Sequence, residues 1–377
     1  MKILYIGHYK EFGGWAQAAT DQILALDSVG VDVVCRNITL TADKRDVHPR
    51  LLALEKKDLT DIDYCIQHVL PHHLVGSKSF KKNIAFLEIE SLSIKGLTWF
   101  DYLKQMDEVW APNQDIVNSL TNDGIGIPTQ LVHHATDVNK YRIQYQPLSG
   151  LAEGMFKFYY AGDFNDRKNL ESIVTCFHSE FEKAEDVALI VKLKKFGKSN
   201  QEIDKEYNNL SRHVKSRIRM YNSEAEYKTD YVISDELTEQ DMNRLHSHCD
   251  CFLCPSHGEA WSIPSLEAMA FGNTPICSNV GGPKEFITDD ENTGKLINGC
   301  FSVCKSSDSA FPDMFTGREY WFQPCEKEIR DQMRKYYESY KQNPITHKQK
   351  AKIAGLERVE QFSYEAIGNK MLEKLNA

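Results

Sequence analysis

Two successive series of short apolar runs, each interleaved with helical patterns, constrain this chain more than any other feature. In the first series the runs are Lys2 to Gly7, Val31 to Arg36, Asp63 to Gln67, Asn83 to Leu87, Glu108 to Ala111 and Thr129 to Val132, with a helical pattern over Gly14 to Val29. In the second, Phe156 to Gly162 leads to a helix from about Asn169. Further runs follow at Val187 to Leu193, Arg217 to Tyr221, Cys249 to Leu253 and Thr274 to Ser278, with a helix ending near Leu245. Strands alternating with helices predict a parallel sheet covered on both faces. The polar stretch Ile143 to Gly154, with Pro147, Ser149 and Gly150, reads as the linker between the series. The expected fold class is α/β, with two doubly wound Rossmann-like domains facing a cleft, where ligands meet the carboxyl ends of strands. The expected division is 1–148, 149–356 and a terminal helical segment 357–377, of which Glu357 to Leu375 carries the pattern. Residues 298–325, rich in aromatics such as Phe301, Phe311, Phe315 and Trp321, read as an irregular functional loop or insertion.

Length and composition narrow the class. A chain of 377 residues accommodates two ordinary domains. A formal charge of −9 argues against gripping nucleic acid by bulk electrostatics. The start of the chain lacks the apolar run of a signal peptide, and no stretch is apolar enough to span a bilayer. The ten cysteines are scattered through strands and helices, so they read as reduced thiols in a cytoplasm. His246, His248, Cys249, Cys251 and Cys254 invite a zinc reading. On a strand, however, Cys251 and Cys254 diverge, and core thiols are favoured.

The chemistry concentrates in Gly258-Glu259-Ala260-Trp261-Ser262-Ile263-Pro264-Ser265-Leu266-Glu267-Ala268-Met269-Ala270, a loop entering a helix between two acids. Pro264 suits the first helical turn, and the backbone amides at the helix entrance favour a phosphate. The pair Glu259 and Glu267, with Pro255-Ser256 before it and Gly272, Pro275 and Gly281-Gly282 after it, resembles the family-4 glycosyltransferases, retaining enzymes of the GT-B fold. The resemblance covers most of the chain and is strongest from about Phe156 to Ile297. It implies a donor that is a nucleotide-diphosphate sugar, with no cofactor and no metal. Glu267 is then expected to bind ribose, and Glu259 with the amides of Trp261, Ser262 and Ile263 to hold the transferred sugar. The helix 357–377 is similar to the terminal helix that returns to the first domain in GT-B proteins.

Other segments fit the same resemblance. Gly162-Asp163-Phe164-Asn165-Asp166-Arg167-Lys168 is similar to the family's diphosphate-binding segment, so Arg167 and Lys168 are expected to stabilise the leaving group. The family's arginine after glycine is Asp163 here, a departure that puts the strength of the site in question. Gly13 and Gly14, after the first strand, resemble the glycine loop that closes over the donor phosphate; they lack dinucleotide-binding spacing. Lys192, at a strand end, is expected to face the donor. Of the acids in Leu87-Glu88-Ile89-Glu90, Glu90 better matches the family's acidic run and is expected to hold the sugar or take the acceptor's proton. His68, His72 and His73 suggest acceptor binding or a proton shuttle, and no carboxylate stands at metal-ligand spacing beside them. Asp61-Ile62-Asp63 reads as a solvated strand start rather than a manganese motif.

The expected partners are the nucleotide sugar and an acceptor, a glycan or lipid-linked glycan. The basic run over residues 192–219 leaves a polyanionic acceptor open, nucleic acid included. Two rival functions carry the same motifs: a GT-B relative that binds sugar nucleotides without transfer, and a sugar-nucleotide epimerase. Base, sugar, acceptor and oligomeric state are not legible in the residues.

Overall fold

The computed structural model describes residues 1–40, 45–146, 148, 150–290, 292–304 and 317–377. Within them the chain forms two compact units. The first runs from Met1 to Val138 and takes back Val359–Ala377; the second begins at Asn139 and includes Trp321–Arg358. The division therefore precedes the polar stretch expected to hold it, because Lys140 and Tyr141 are already buried in the second unit. Tyr141 packs edge-on against Phe271 at 5.4 Å. Pro147 and Ser149 lie outside the described residues.

The first unit carries six parallel strands, β1 (Lys2–Gly7), β2 (Asp32–Asn37), β3 (Tyr64–His68), β4 (Lys82–Phe86), β5 (Glu108–Ala111) and β6 (Thr129–Leu131), in the order β2-β1-β3-β4-β5-β6. Ile3, Leu4 and Tyr5 of β1 are all buried, as a strand covered on both faces requires. Helix Gly14–Ser28 packs against the terminal helix Tyr364–Asn376. A Cβ on Gly368 would lie 2.2 Å from the carbonyl oxygen of Ala25, so only glycine permits that approach. Tyr364 Oη donates to Asp21 across the same contact at 2.7 Å.

The single helical pattern expected over Glu357 to Leu375 is broken. Helix Pro344–Val359 ends in the short 3-10 turn Glu360–Phe362, and Ser363 caps the next helix by accepting from Ala366 N at 3.3 Å. The amide of Thr136 donates to the Phe362 carbonyl at 2.8 Å, and Phe362 is buried there. Tertiary anchoring thus interrupts a locally continuous pattern.

The second unit has its own six parallel strands, β7 (Phe156–Asp163), β8 (Val187–Lys194), β9 (Asp230–Ile233), β10 (Cys251–Cys254), β11 (Ile276–Ser278) and β12 (Lys295–Ile297), in the order β12-β11-β10-β7-β8-β9. Phe156, Phe158, Leu189, Val191 and Phe177 pack in its core. The strand expected at Arg217 to Tyr221 does not form. Ser199 and Glu202 make a capping box that starts helix Asn200–Ile218, which runs through Arg217 and ends at Arg219 in the left-handed conformation (φ 52°). The third strand is β9, whose Tyr231 and Val232 pair beside Ile190 and Val191 of β8.

The segment 298–325 is not wholly irregular: β13 (Gly299–Val303) and β14 (Tyr320–Pro324) pair in a two-stranded sheet, with Phe301 edge-on to Phe322 at 5.3 Å. Residues 305–316, with Phe311 and Phe315, lie outside the described residues. Among the described residues, no helix is long and apolar enough to cross a membrane. The architecture is α/β with two Rossmann-like sheets.

Candidate functional site

In the second sheet β7 lies between β8 and β10, so the chain leaves β7 on one side and returns on the other. Such a switch point opens a crevice at the carboxyl ends of the strands, where open α/β sheets bind ligands. The loops that follow β7 and β10 flank it, and they are stitched together. The amide of His257 donates to the Arg167 carbonyl at 2.8 Å. Asn169 Nδ2 donates to the Pro255 carbonyl at 2.9 Å, and Arg167 Nη1 to the Gly258 carbonyl at 2.7 Å. Asn165 caps the single turn Asp166–Lys168 by accepting from the Lys168 amide at 3.2 Å. These bonds present Arg167 and Lys168 toward the Glu259 loop.

Glu259 is 7% exposed, and Lys168 Nζ lies 2.7 Å from one of its oxygens and 3.0 Å from the other. Arg167 Nη1 is 3.5 Å from the nearer oxygen. Burial pushes the Glu259 carboxyl up, but Lys168 and Arg167 outweigh it and hold it below its usual range. Two cations thus face this carboxylate.

The chain then turns into helix Ile263–Ala270, with Pro264 in its first turn. Ser262 sits at the helix entrance in the left-handed region (φ 71°, ψ 67°), a conformation that costs about 1–3 kcal/mol for a residue with a Cβ. Its hydroxyl bonds the Ser265 hydroxyl at 2.7 Å and lies 3.5 Å from the Cys254 sulfur. Gly281 and Gly282 brace the loop from behind. A Cβ on Gly282 would lie 2.2 Å from Trp261 Cα, and the Gly282 amide donates to the Glu259 carbonyl at 3.0 Å. Trp261 is buried edge-on to Phe286 at 5.4 Å. Cys254 Sγ, 3.9 Å from Glu259 Oε1, links that carboxylate to the helix entrance, Ser262 and Ile263 included, where the dipole favours an anion.

Glu267 lies on the same helix. Lys140 Nζ is 2.6 Å from one oxygen, and His246 Nε2 is 3.5 Å from the other. Burial raises the Glu267 carboxyl, yet Lys140 and His246 bring it down to about 2. Lys140 has no local sequence signal, since 127 positions separate it from its partner. Lys192 stands at the carboxyl end of β8, opposite Ala161 of β7. Its ammonium donates to the Leu193 carbonyl at 3.1 Å, and burial lowers its pKa. Asp163 is exposed at the end of β7.

Arg167, Lys168, Glu259, Trp261, Ser262, Ile263, Glu267 and Lys192 therefore share one unit. Gly13, Gly14 and Glu90 belong to the other. Gly13 (φ 115°) and Gly14 are exposed where β1 gives way to its helix. Glu90 is half-buried beyond β4. Its neighbour Glu88 is the acid built into the first unit's interior: His68 Nε2 lies 2.8 Å and His134 Nε2 3.1 Å from the same Glu88 oxygen. This corrects the expectation that no carboxylate joins the histidines, because Glu88 arrives from the next strand and His134 from beyond β6. Asp63 is a strand start as expected, paired with Lys81 at 2.7 Å. Cys249, Cys251 and Cys254 are buried free thiols, and Cys251 and Cys254 bond in different directions, to the Thr274 carbonyl and to Ser256.

Residues 144–310 match the family model "Glycosyl transferases group 1". The matched stretch is similar to a group 1 glycosyl transferase domain. The cationic pair, Glu259 and Glu267 all lie inside it. A stretch of 68 residues is 37% identical to alpha-maltose-1-phosphate synthase of Mycobacterium tuberculosis, and covers 18% of this chain and 17% of that protein. Similarity of fold extends much further. Sucrose-phosphate synthase from Thermosynechococcus elongatus matches with TM-score 0.65 at 15% identity, over 100% of this chain and 98% of its own. Anabaena HepE in complex with UDP-glucose matches with TM-score 0.64 at 14% identity, over 100% and 99%. Trehalose-6-phosphate synthase OtsA matches with TM-score 0.67 at 10% identity, over 100% and 99%. These likenesses show the fold alone, two Rossmann-like α/β units of the kind found in GT-B proteins.

Proposed function

We propose that the chain is a retaining glycosyltransferase that moves a sugar from a nucleotide-diphosphate sugar to an acceptor hydroxyl. The observation that carries this is the buried Glu259 carboxylate held by Lys168 and Arg167 at the switch point of the second sheet. The donor's diphosphate takes the positive charge of Arg167 and Lys168 together with the entrance of helix Ile263–Ala270. Glu259, released in part from Lys168, accepts hydroxyls of the transferred sugar. Glu267 accepts ribose hydroxyls, with Lys140 and His246 keeping it ionised and oriented. Lys192, at the end of β8, adds charge on the donor side.

As the bond from the sugar's anomeric carbon to the diphosphate oxygen breaks, negative charge grows on that oxygen. Lys168 and Arg167 stabilise it, and two protein cations do there what a divalent ion does in a metal-dependent enzyme. The acceptor oxygen bonds the anomeric carbon on the face being vacated, and its proton passes to the departing phosphate oxygen. Retention follows from that shared face. Glu90 in the first unit is assigned to the acceptor, and Gly13 and Gly14 to the donor phosphate. The acceptor is read as a glycan or lipid-linked glycan. The buried thiols fit a reducing compartment such as the cytoplasm.

A thermal-shift panel of UDP, GDP, ADP and their sugars tests the donor, with UDP-glucose first because a neighbour of the same fold holds it. A ligand at a hundred times its Kd stabilises by about 2.7 kcal/mol. No shift with any member overturns the reading. Slow hydrolysis of the responding donor is then expected to vanish in Glu259→Ala and survive in Asp163→Ala. Binding without release points to a non-catalytic relative, and an isomerised donor to an epimerase.

A further inference from the structure

The first unit holds a cluster to which the proposed transfer assigns no role. His68 ends β3, Glu88 follows β4 by two residues, and His134 follows β6. One ligand atom from each lies within 4.8 Å of the other two, and among the described residues this is the sole group of its kind. The side chains are 0%, 9% and 2% exposed. Both Nε2 atoms approach one carboxylate oxygen, Glu88 Oε1, at 2.8 and 3.1 Å. The remaining nitrogen of His68 is engaged by Tyr5 Oη at 2.9 Å, which fixes the ring so that Nε2 points inward. That outer bond is the arrangement that orients metal-bound imidazoles. Phe86 walls the cluster, 4.5 Å from the His68 ring and 5.5 Å from that of His134.

We propose that His68, Glu88 and His134 form a binding site for a first-row divalent transition ion, Zn2+ foremost, within the first unit. Two imidazole nitrogens and one carboxylate oxygen lie within 4.8 Å of one another. That donor set suits zinc and disfavours magnesium or calcium, which take oxygen. Ligands about 2.0–2.1 Å from a tetrahedral ion stand roughly 3.3 Å apart, so seating the ion widens the two contacts to Glu88 slightly, while the two nitrogens, within 4.8 Å of each other, adjust to the same spacing. Imidazole and carboxylate bind such an ion in their deprotonated forms. It ties the carboxyl ends of β3 and β4 to the segment after β6. The site is separate from the cationic pair on which the donor reading rests, and either can stand without the other.

The test is metal uptake by the full chain, stripped with a chelator and dialysed against Zn2+ or Co2+. One equivalent is expected per chain, and Co2+ should give the visible absorption of a low-coordinate nitrogen and oxygen site. Glu88→Gln, which keeps the shape of the side chain, and His134→Ala should each weaken uptake by about 100-fold or more. A double variant His72→Ala/His73→Ala, removing the neighbouring histidines outside the cluster, should bind as the parent does. Where His134→Ala fails to fold, Glu88→Gln and the Co2+ spectrum of the parent decide. No uptake by the stripped parent overturns the site, and so does uptake unchanged in Glu88→Gln.

Discussion

The Lys168 ammonium reaches both oxygens of Glu259, at 2.7 and 3.0 Å, across loops that are 91 residues apart in sequence. Both side chains are largely buried, so each is the main counter-charge of the other, with Arg167 as a more distant second cation. Removing one partner leaves the other ionised in a poorly solvated place. Lys168→Met is expected to lower stability by about 3 kcal/mol in urea unfolding. Lys168→Met combined with Glu259→Leu should lose less than the sum of the two single changes, and additive losses would show that the pair is not coupled.

Glu267 links stability to pH. Its carboxyl falls from a usual 4.5 to about 2 in the folded chain, against the upward push of burial, because Lys140 and His246 face it. A carboxylate depressed on folding contributes fully above its unfolded pKa and loses that contribution as pH falls through its folded pKa. Unfolding free energy should therefore decline between about pH 4.5 and pH 2, with about 3 kcal/mol from this group. Lys140→Met should flatten that decline, and an unchanged profile in the variant would remove Lys140 as the cause.

The brace behind the Glu259 loop leaves no room for a side chain. A Cβ at Gly282 would press on Trp261 Cα at 2.2 Å, backbone against backbone, so the loop itself must move. Gly282→Ala is expected to cost about 3 kcal/mol and to abolish the thermal shift given by the responding nucleotide. A full ligand shift in this variant would separate the loop from donor binding.

Stability and binding should come apart at Ser199. This residue caps helix Asn200–Ile218 through a reciprocal box with Glu202, and its exposed position is remote in sequence from the cationic pair. Ser199→Ala should lower stability by about 1 kcal/mol and leave nucleotide affinity unchanged. A lower affinity would tie that helix to the site.

The same capping box explains the one strand that was misplaced. Arg217 to Tyr221 alternates apolar and polar residues as an edge strand does, but a helix already started at Ser199 carries through Arg217, which pairs with Glu171 at 2.5 Å. The break at Glu360–Phe362 was hidden for a related reason: the amide of Thr136, distant in the chain, holds the Phe362 carbonyl. Local periodicity reports what a segment prefers and is blind to partners beyond it.

Residue order alone determined the two α/β sheets and the helix entered at Pro264. It also placed Arg167, Lys168 and Glu259 in loops after strands and Glu267 on that helix, because the apolar periods of strands and helices are written over a few residues. Only the tertiary structure decided which charges meet: Lys140 with Glu267 across 127 positions, and Glu88 rather than Glu90 with His68 and His134. Those pairings depend on the order of strands in the sheet, and strand order is set by packing between segments that carry no mark of one another.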